Sequence, residues 1–152
     1  MCACLLPLAA ACGSSGGPAG TSSHDSADGA VRGLVNALAA DDSKAALDWI
    51  APAERTQFTQ ALDEAKALGL KISFSVKSFA VDSTSIDKSD GNRALVRYSG
   101  SAQACVDGTT GGRAVHTCNP VQSQTGQATP DIFVCVRSNG SWYVSIASAG
   151  QS

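Results

Sequence analysis

The sequence predicts an α+β domain in which N-terminal helices pack on one face of a curved antiparallel sheet. Three observations predict it. Apolar residues recur at helical spacing up to residue 68, first as Val31, Leu34, Val35 and Leu38, then as Phe58, Leu62, Ala65 and Leu68. From residue 71 onward the period drops to two. Turn signals then punctuate the chain at Asp90-Gly91, Gly111-Gly112 and Asn139-Gly140. Helices followed by a run of strands give helices segregated to one side of an antiparallel sheet.

The first helix is expected from about Ala27, with Ser26 or Asp28 available as N-cap and Asp41-Asp42 as its end. A short second helix is expected over 44–50, with Leu47 and Ile50 inward. Pro52 suits the first turn of a third helix, and Gly69 suits its stop. In the first strand Ile72, Phe74 and Val76 alternate with polar residues, but Phe79 and Val81 have the opposite parity. A bulge near Ser78 accounts for that slip. Ala94, Val96, Tyr98, Ala102, Ala104 and Val106 share the inward face of the next strand, so Cys105 points outward. A strand over 113–118 follows, stopped by Asn119-Pro120. Residues 121–129 are polar and read as loop. A final hairpin is expected over 131–137 and 141–148.

The cysteines divide by position. A two-residue turn at Gly111-Gly112 pairs residues whose numbers sum to a constant, which sets Cys105 opposite Cys118. Cys105 and Cys118 then fall within disulfide reach. The type I′ signal Asn139-Gly140 sets Arg137 opposite Trp142, a cation–π pair, and Cys135 opposite Val144. Phe133, Cys135, Trp142, Val144 and Ile146 share the apolar face, so Cys135 is expected as a buried small hydrophobe. No C-x-x-C spacing occurs, and no metal or cofactor is expected.

Composition excludes several classes. The 152 residues are 43% hydrophobic and 16% charged, enough for one packed domain. The 11 basic and 13 acidic residues are scattered, and aromatics make up 5%. Nucleic-acid binding needs a clustered basic face or stacking aromatics, so none is expected. The charges are missing from the start: the first is Asp25. Leu8-Ala9-Ala10-Ala11-Cys12 followed by Gly13-Ser14-Ser15-Gly16 resembles a bacterial lipobox. The resemblance implies a signal peptide over 1–12, diacylglycerol on the Cys12 thiol, a Gly/Ser tether over 13–26 and a domain over 27–150 outside the cytoplasmic membrane. Two acyl chains anchor stably where one does not. Ala9 stands where that family usually has leucine, and no Lys or Arg precedes the apolar run, which places the expected start codon upstream of Met1. Ala9-Ala10-Ala11 also fits an A-x-A site, which leaves ordinary secretion as the alternative.

Three segments carry a second resemblance. They are Val31-Arg32-Gly33-Leu34-Val35-Asn36-Ala37-Leu38-Ala39-Ala40-Asp41-Asp42, then Leu47-Asp48-Trp49-Ile50-Ala51-Pro52, then the closing stretch from Val134 to Val144 with its Gly140-Ser141-Trp142 turn. Their order resembles the nuclear transport factor 2-like (cystatin-like) superfamily in its small bacterial lipoprotein branch. The resemblance implies a cone-like fold with a pocket between curved sheet and helices. It implies no activity, since the fold hosts both enzymes and binding modules.

Candidate pocket residues are Tyr98, Phe133, Cys135, Trp142 and Trp49. No catalytic residue is assigned. A general acid or base needs a carboxylate in a desolvated pocket, and the carboxylates fall in expected turns or helices. His116 reads as a solvent-facing strand residue and His24 as an inert residue of the tether. The functional expectation is a membrane-anchored envelope lipoprotein that binds a small apolar ligand or an envelope protein without catalysis. A small enzyme of the ketosteroid isomerase or polyketide cyclase-like type, with Tyr98 and a loop Asp in acid/base roles, is the alternative.

Overall fold

The computed structural model describes residues 21–110, 112–120 and 131–147. Helix α1 spans Ala27–Ala39, α2 Ser43–Trp49 and α3 Arg55–Ala67, with one turn of 3₁₀-helix at Pro52–Glu54. Five strands follow: β1 Lys71–Ile86, β2 Arg93–Thr110, β3 Arg113–Pro120, β4 Asp131–Ser138 and β5 Ser141–Ser145. They form one curled antiparallel sheet in the order β1-β2-β4-β5, with β3 also paired to β2. β2 is long enough to serve two neighbours on one edge. Residues 93–98 pair with β4, and residues 103–110 pair with β3.

Local chemistry accounts for the helix boundaries. Ser26 caps α1, its hydroxyl accepting from the Gly29 N–H. Asp42 caps α2 by accepting from the Ala45 N–H at 2.9 Å. The C-terminal end of α2 is held by Arg55, whose guanidinium donates to the carbonyls of Ile50 and Asp48, each at 3.1 Å. Leu68 departs from expectation: it is 71% exposed. α3 ends at Ala67, so Leu68 falls beyond the last helical turn and off the stripe. Phe58, Leu62 and Ala65 are half-buried, and α3 has no fully buried residue.

The core lies between α1, α2 and the inner sheet face. Its largest fully buried side chains are Ile50, Val31, Val96, Val144 and Cys135. α1 reaches it by approaching α2 closely at Gly33, where a Cβ would lie 2.2 Å from the Trp49 ring. Only glycine fits that crossing. The register of the β2–β3 hairpin sets Cys105 against Cys118, and the two are bonded, with Cα atoms 4.0 Å apart. The β4–β5 hairpin pairs Cys135 with Val144 and Arg137 with Trp142, through left-handed Asn139 and Gly140. The Arg137 guanidinium lies 5.9 Å from the Trp142 ring centroid.

The N-terminal boundary needs correction. Residues 22–26 are packed on the domain and are not tether. The Trp142 N–H donates to the His24 carbonyl at 2.8 Å, and Asn36 Nδ2 donates to Ser22 Oγ at 3.0 Å. His24, read as inert, stacks on Trp49 with ring centroids 4.2 Å apart and pairs through Nδ1 with the Trp142 carbonyl at 2.8 Å. Cys12 and residues 121–129 lie outside the described residues.

Candidate functional site: an apolar cavity at the sheet bulge

The parity slip in β1 has a structural consequence. Its pairing with β2 shifts between Val76 and Ser78 and again between Val81 and Ser83. At the first shift the strands come together at Gly100, where a Cβ would lie 2.3 Å from the Ser78 carbonyl oxygen. The bulge bends β1 locally. Across the gap β2 presents small residues, Gly100, Ser101 and Ala102, which leave space unfilled. A cavity of about 130 Å³ results.

Four elements wall this cavity. Val35 and Leu38 come from α1, and Phe74, Val76 and Phe79 come from β1. Tyr98 of β2 and Phe133 of β4 close it with an aromatic row: Phe79 to Tyr98 spans 5.5 Å between ring centroids, and Tyr98 to Phe133 spans 4.7 Å. The lining is almost wholly apolar. An engineered apolar cavity of about 150 Å³ stays dry and binds benzene. This one therefore suits a single ring or a short stretch of alkyl chain.

Of the sequence-derived pocket residues, Tyr98 and Phe133 line the cavity. Cys135, Trp142 and Trp49 do not. Cys135 and Trp142 sit under α1 in the filled core, 0% and 4% exposed. The Cys135 thiol lies 3.6 Å from the Ala27 carbonyl oxygen, to which it donates. Trp49 is occupied by His24 and Gly33 near the N-terminal segment. Sharing an apolar face did not mean sharing a void, because α1 fills one end of that face and leaves the other open.

Among the described residues, no carboxylate is part of this lining. Asp82 accepts from Ser99 Oγ at 2.9 Å, and Asp87 accepts from the Ser89 hydroxyl and backbone. Those Ser89 bonds hold the Asp87 carboxyl below its ordinary value. Asp107 pairs with His116, which supplies the partner that the sequence did not reveal for that histidine. Glu54, which sequence reasoning passed over, accepts from Ser145 Oγ at 2.8 Å and from the Ala147 N–H at 3.2 Å. That carboxylate fastens the end of β5 to the start of α3.

Burial, and secondarily the charge of Asp28, push the Cys135 thiol up to about 12. The folded state thus holds the neutral thiol, while an unfolded chain ionises it near ~8.5. This contribution to stability is complete below that point and fades as pH rises towards about 12. We expect native Cys135 to resist alkylation at pH 8 and to react fully once the protein is unfolded, as mass spectrometry will register. Rapid modification of the native protein would contradict its burial.

Fold and site together define a small α+β domain that holds an apolar cavity between one helix and a curled sheet. No protein-family model and no curated protein sequence matches the chain. Among solved structures, the intermembrane space region of the chloroplast protein ARC6 is similar with a TM-score of 0.50 at 18% identity, over 72% of this chain and 78% of that one. A SEC-C motif protein from Rhodopseudomonas palustris is similar with a TM-score of 0.44 at 17% identity, over 81% of this chain and 77% of its own. At such identity the first likeness speaks of fold alone. Among the described residues, no helix is long and apolar enough to cross a membrane.

Proposed function

We propose that the chain is a membrane-anchored envelope lipoprotein whose domain binds a small apolar ligand and performs no chemistry on it. The observation that carries this reading is the cavity itself: about 130 Å³, walled by α1 aliphatics and the Phe79–Tyr98–Phe133 row. Such a lining offers shape and desolvation to an apolar ligand. The reading takes the fold as a cone of the nuclear transport factor 2-like kind, which the helix-then-sheet order and the bulged curl of β1 against β2 support. It takes the location as extracytoplasmic, which the Cys105–Cys118 bond supports, since disulfides persist in oxidising compartments. The anchor of this reading is the lipid on Cys12.

Two experiments test the proposal. Toluene, titrated into the protein, should shift the ring-proton resonances of Tyr98 and Phe133 saturably. Ala102→Leu, which grows into the cavity, should abolish the shift while the variant still melts in one cooperative transition. Unmoved resonances at saturating toluene would remove the ligand-binding reading. For the anchor, Cys12→Ala should move the protein from the membrane to the soluble fraction of the native host. Unchanged membrane association would refute lipidation at Cys12.

A further inference from the structure

The β2–β3 ribbon carries a second constellation, on the face opposite the core. Two adjacent cross-strand pairs lie side by side: Asp107 with His116, and Cys105 with Cys118. Alternation puts all four side chains on one face. The Asp107 carboxylate engages His116 Nδ1, which turns the other ring nitrogen toward the disulfide. His116 Nε2 lies 3.4 Å from Cys118 Sγ. The imidazole and carboxylate side chains are 70% and 45% exposed, so a solute can reach the group. Lys71, the register partner of Asp107 on β1, is committed to Asp41 at 3.0 Å.

A disulfide that only braces a hairpin needs no such neighbours. Carboxylate, imidazole and sulfur in a row are the arrangement that stabilises a thiolate. We propose that Cys105–Cys118 is a thiol–disulfide exchange site, with Cys118 as the leaving and re-attacking sulfur, His116 as its proton partner and Asp107 as the residue that positions the imidazole. The co-reactant is a thiol compound. Its thiolate attacks Cys105 Sγ, forming a mixed disulfide, and the electron pair of the broken protein S–S bond leaves on Cys118 Sγ. The Nε2–H of the protonated ring holds that thiolate or gives it the proton. A second thiol then attacks the mixed disulfide, releasing Cys105 as a thiol and the co-reactant as its own disulfide. Two thiols are oxidised and one protein disulfide is reduced. A leaving sulfur with lower thiol pKa departs faster, so the histidine sets both the rate and the direction of opening. The inference is independent of the cavity and its ligand.

The test uses the full oxidised chain and reduced glutathione at constant pH, with acid quench, alkylation and peptide mapping. In the parent protein, glutathione should be found on Cys105 and the alkyl group on Cys118. His116→Gln should slow opening about tenfold and erase that preference, and Asp107→Asn should slow it a few-fold, through weaker leaving-group stabilisation. Both variants should melt as the oxidised parent does, which a bracing role alone would also give, so the rate and the site of attachment are the deciding readouts. Glutathione on Cys118, an even distribution, or His116→Gln opening as fast as the parent would each overturn the proposal. The site of attachment in the parent protein needs no variant to fold.

Discussion

Ile50→Ala should destabilise the domain by about 2–5 kcal/mol, the range for an isoleucine or leucine emptied from a rigid core. Ile50 is 0% exposed and sits where α2 gives way to the 3₁₀ turn, bridged in parallel to Val144. The neighbouring Ala51 N–H donates to the Val144 carbonyl at 2.9 Å, and Arg55 holds the Ile50 carbonyl. The backbone is therefore pinned on both sides and cannot collapse into the space. Against a total of about 5–15 kcal/mol for an ordinary domain, the loss is large. Urea denaturation measures it, and Ile50→Val, which removes one methylene, should cost about 0.5–1.5 kcal/mol. A loss below that range for the alanine variant would mean that Ile50 does not anchor the helices to β5.

Removing the disulfide should cost about 3 kcal/mol, the chain-entropy estimate for a loop of this size. Cys105 and Cys118 are 13 residues apart, in a hairpin that the ladder already registers. Cys105→Ala, Cys118→Ala and the double variant should lose nearly the same amount, because each removes the same bond. Strong non-additivity is the signature. If the double variant loses about twice either single one in denaturant titrations, the two cysteines act separately and the pairing is wrong.

The sequence carried the fold well where periodicity and turns decide it. The sum rule around Gly111-Gly112 located Cys105 and Cys118, and Asn139-Gly140 located Cys135 against Val144. The parity slip at Ser78 marked the bulge behind which the cavity lies. What the sequence could not carry was packing between distant segments. His24 stands in a Ser-rich stretch, and its partners Trp49 and Trp142 are far along the chain, so nothing local signals the stack. Glu54 is one acid among 13 acidic residues until the end of β5 arrives beside it. Trp142 and Tyr98 both read as inward, yet α1 covers the first and leaves space beside the second. A period of two specifies a side, and the depth of filling at each point on that side depends on a helix whose placement no strand pattern encodes.

The docking of His24 on Trp142 has a consequence for biosynthesis. α1 buries its apolar stripe against β5 as well as β1, and the first described segment is hydrogen-bonded to the last strand across 118 positions. During translation the opening helix is made early, but β5, one part of the surface that shields it, is made last. The stripe of α1 is therefore only partly covered until Trp142 and Val144 have left the ribosome. Contacts so far apart in the chain close slowly. The core is therefore completed only once the whole of β5 is available.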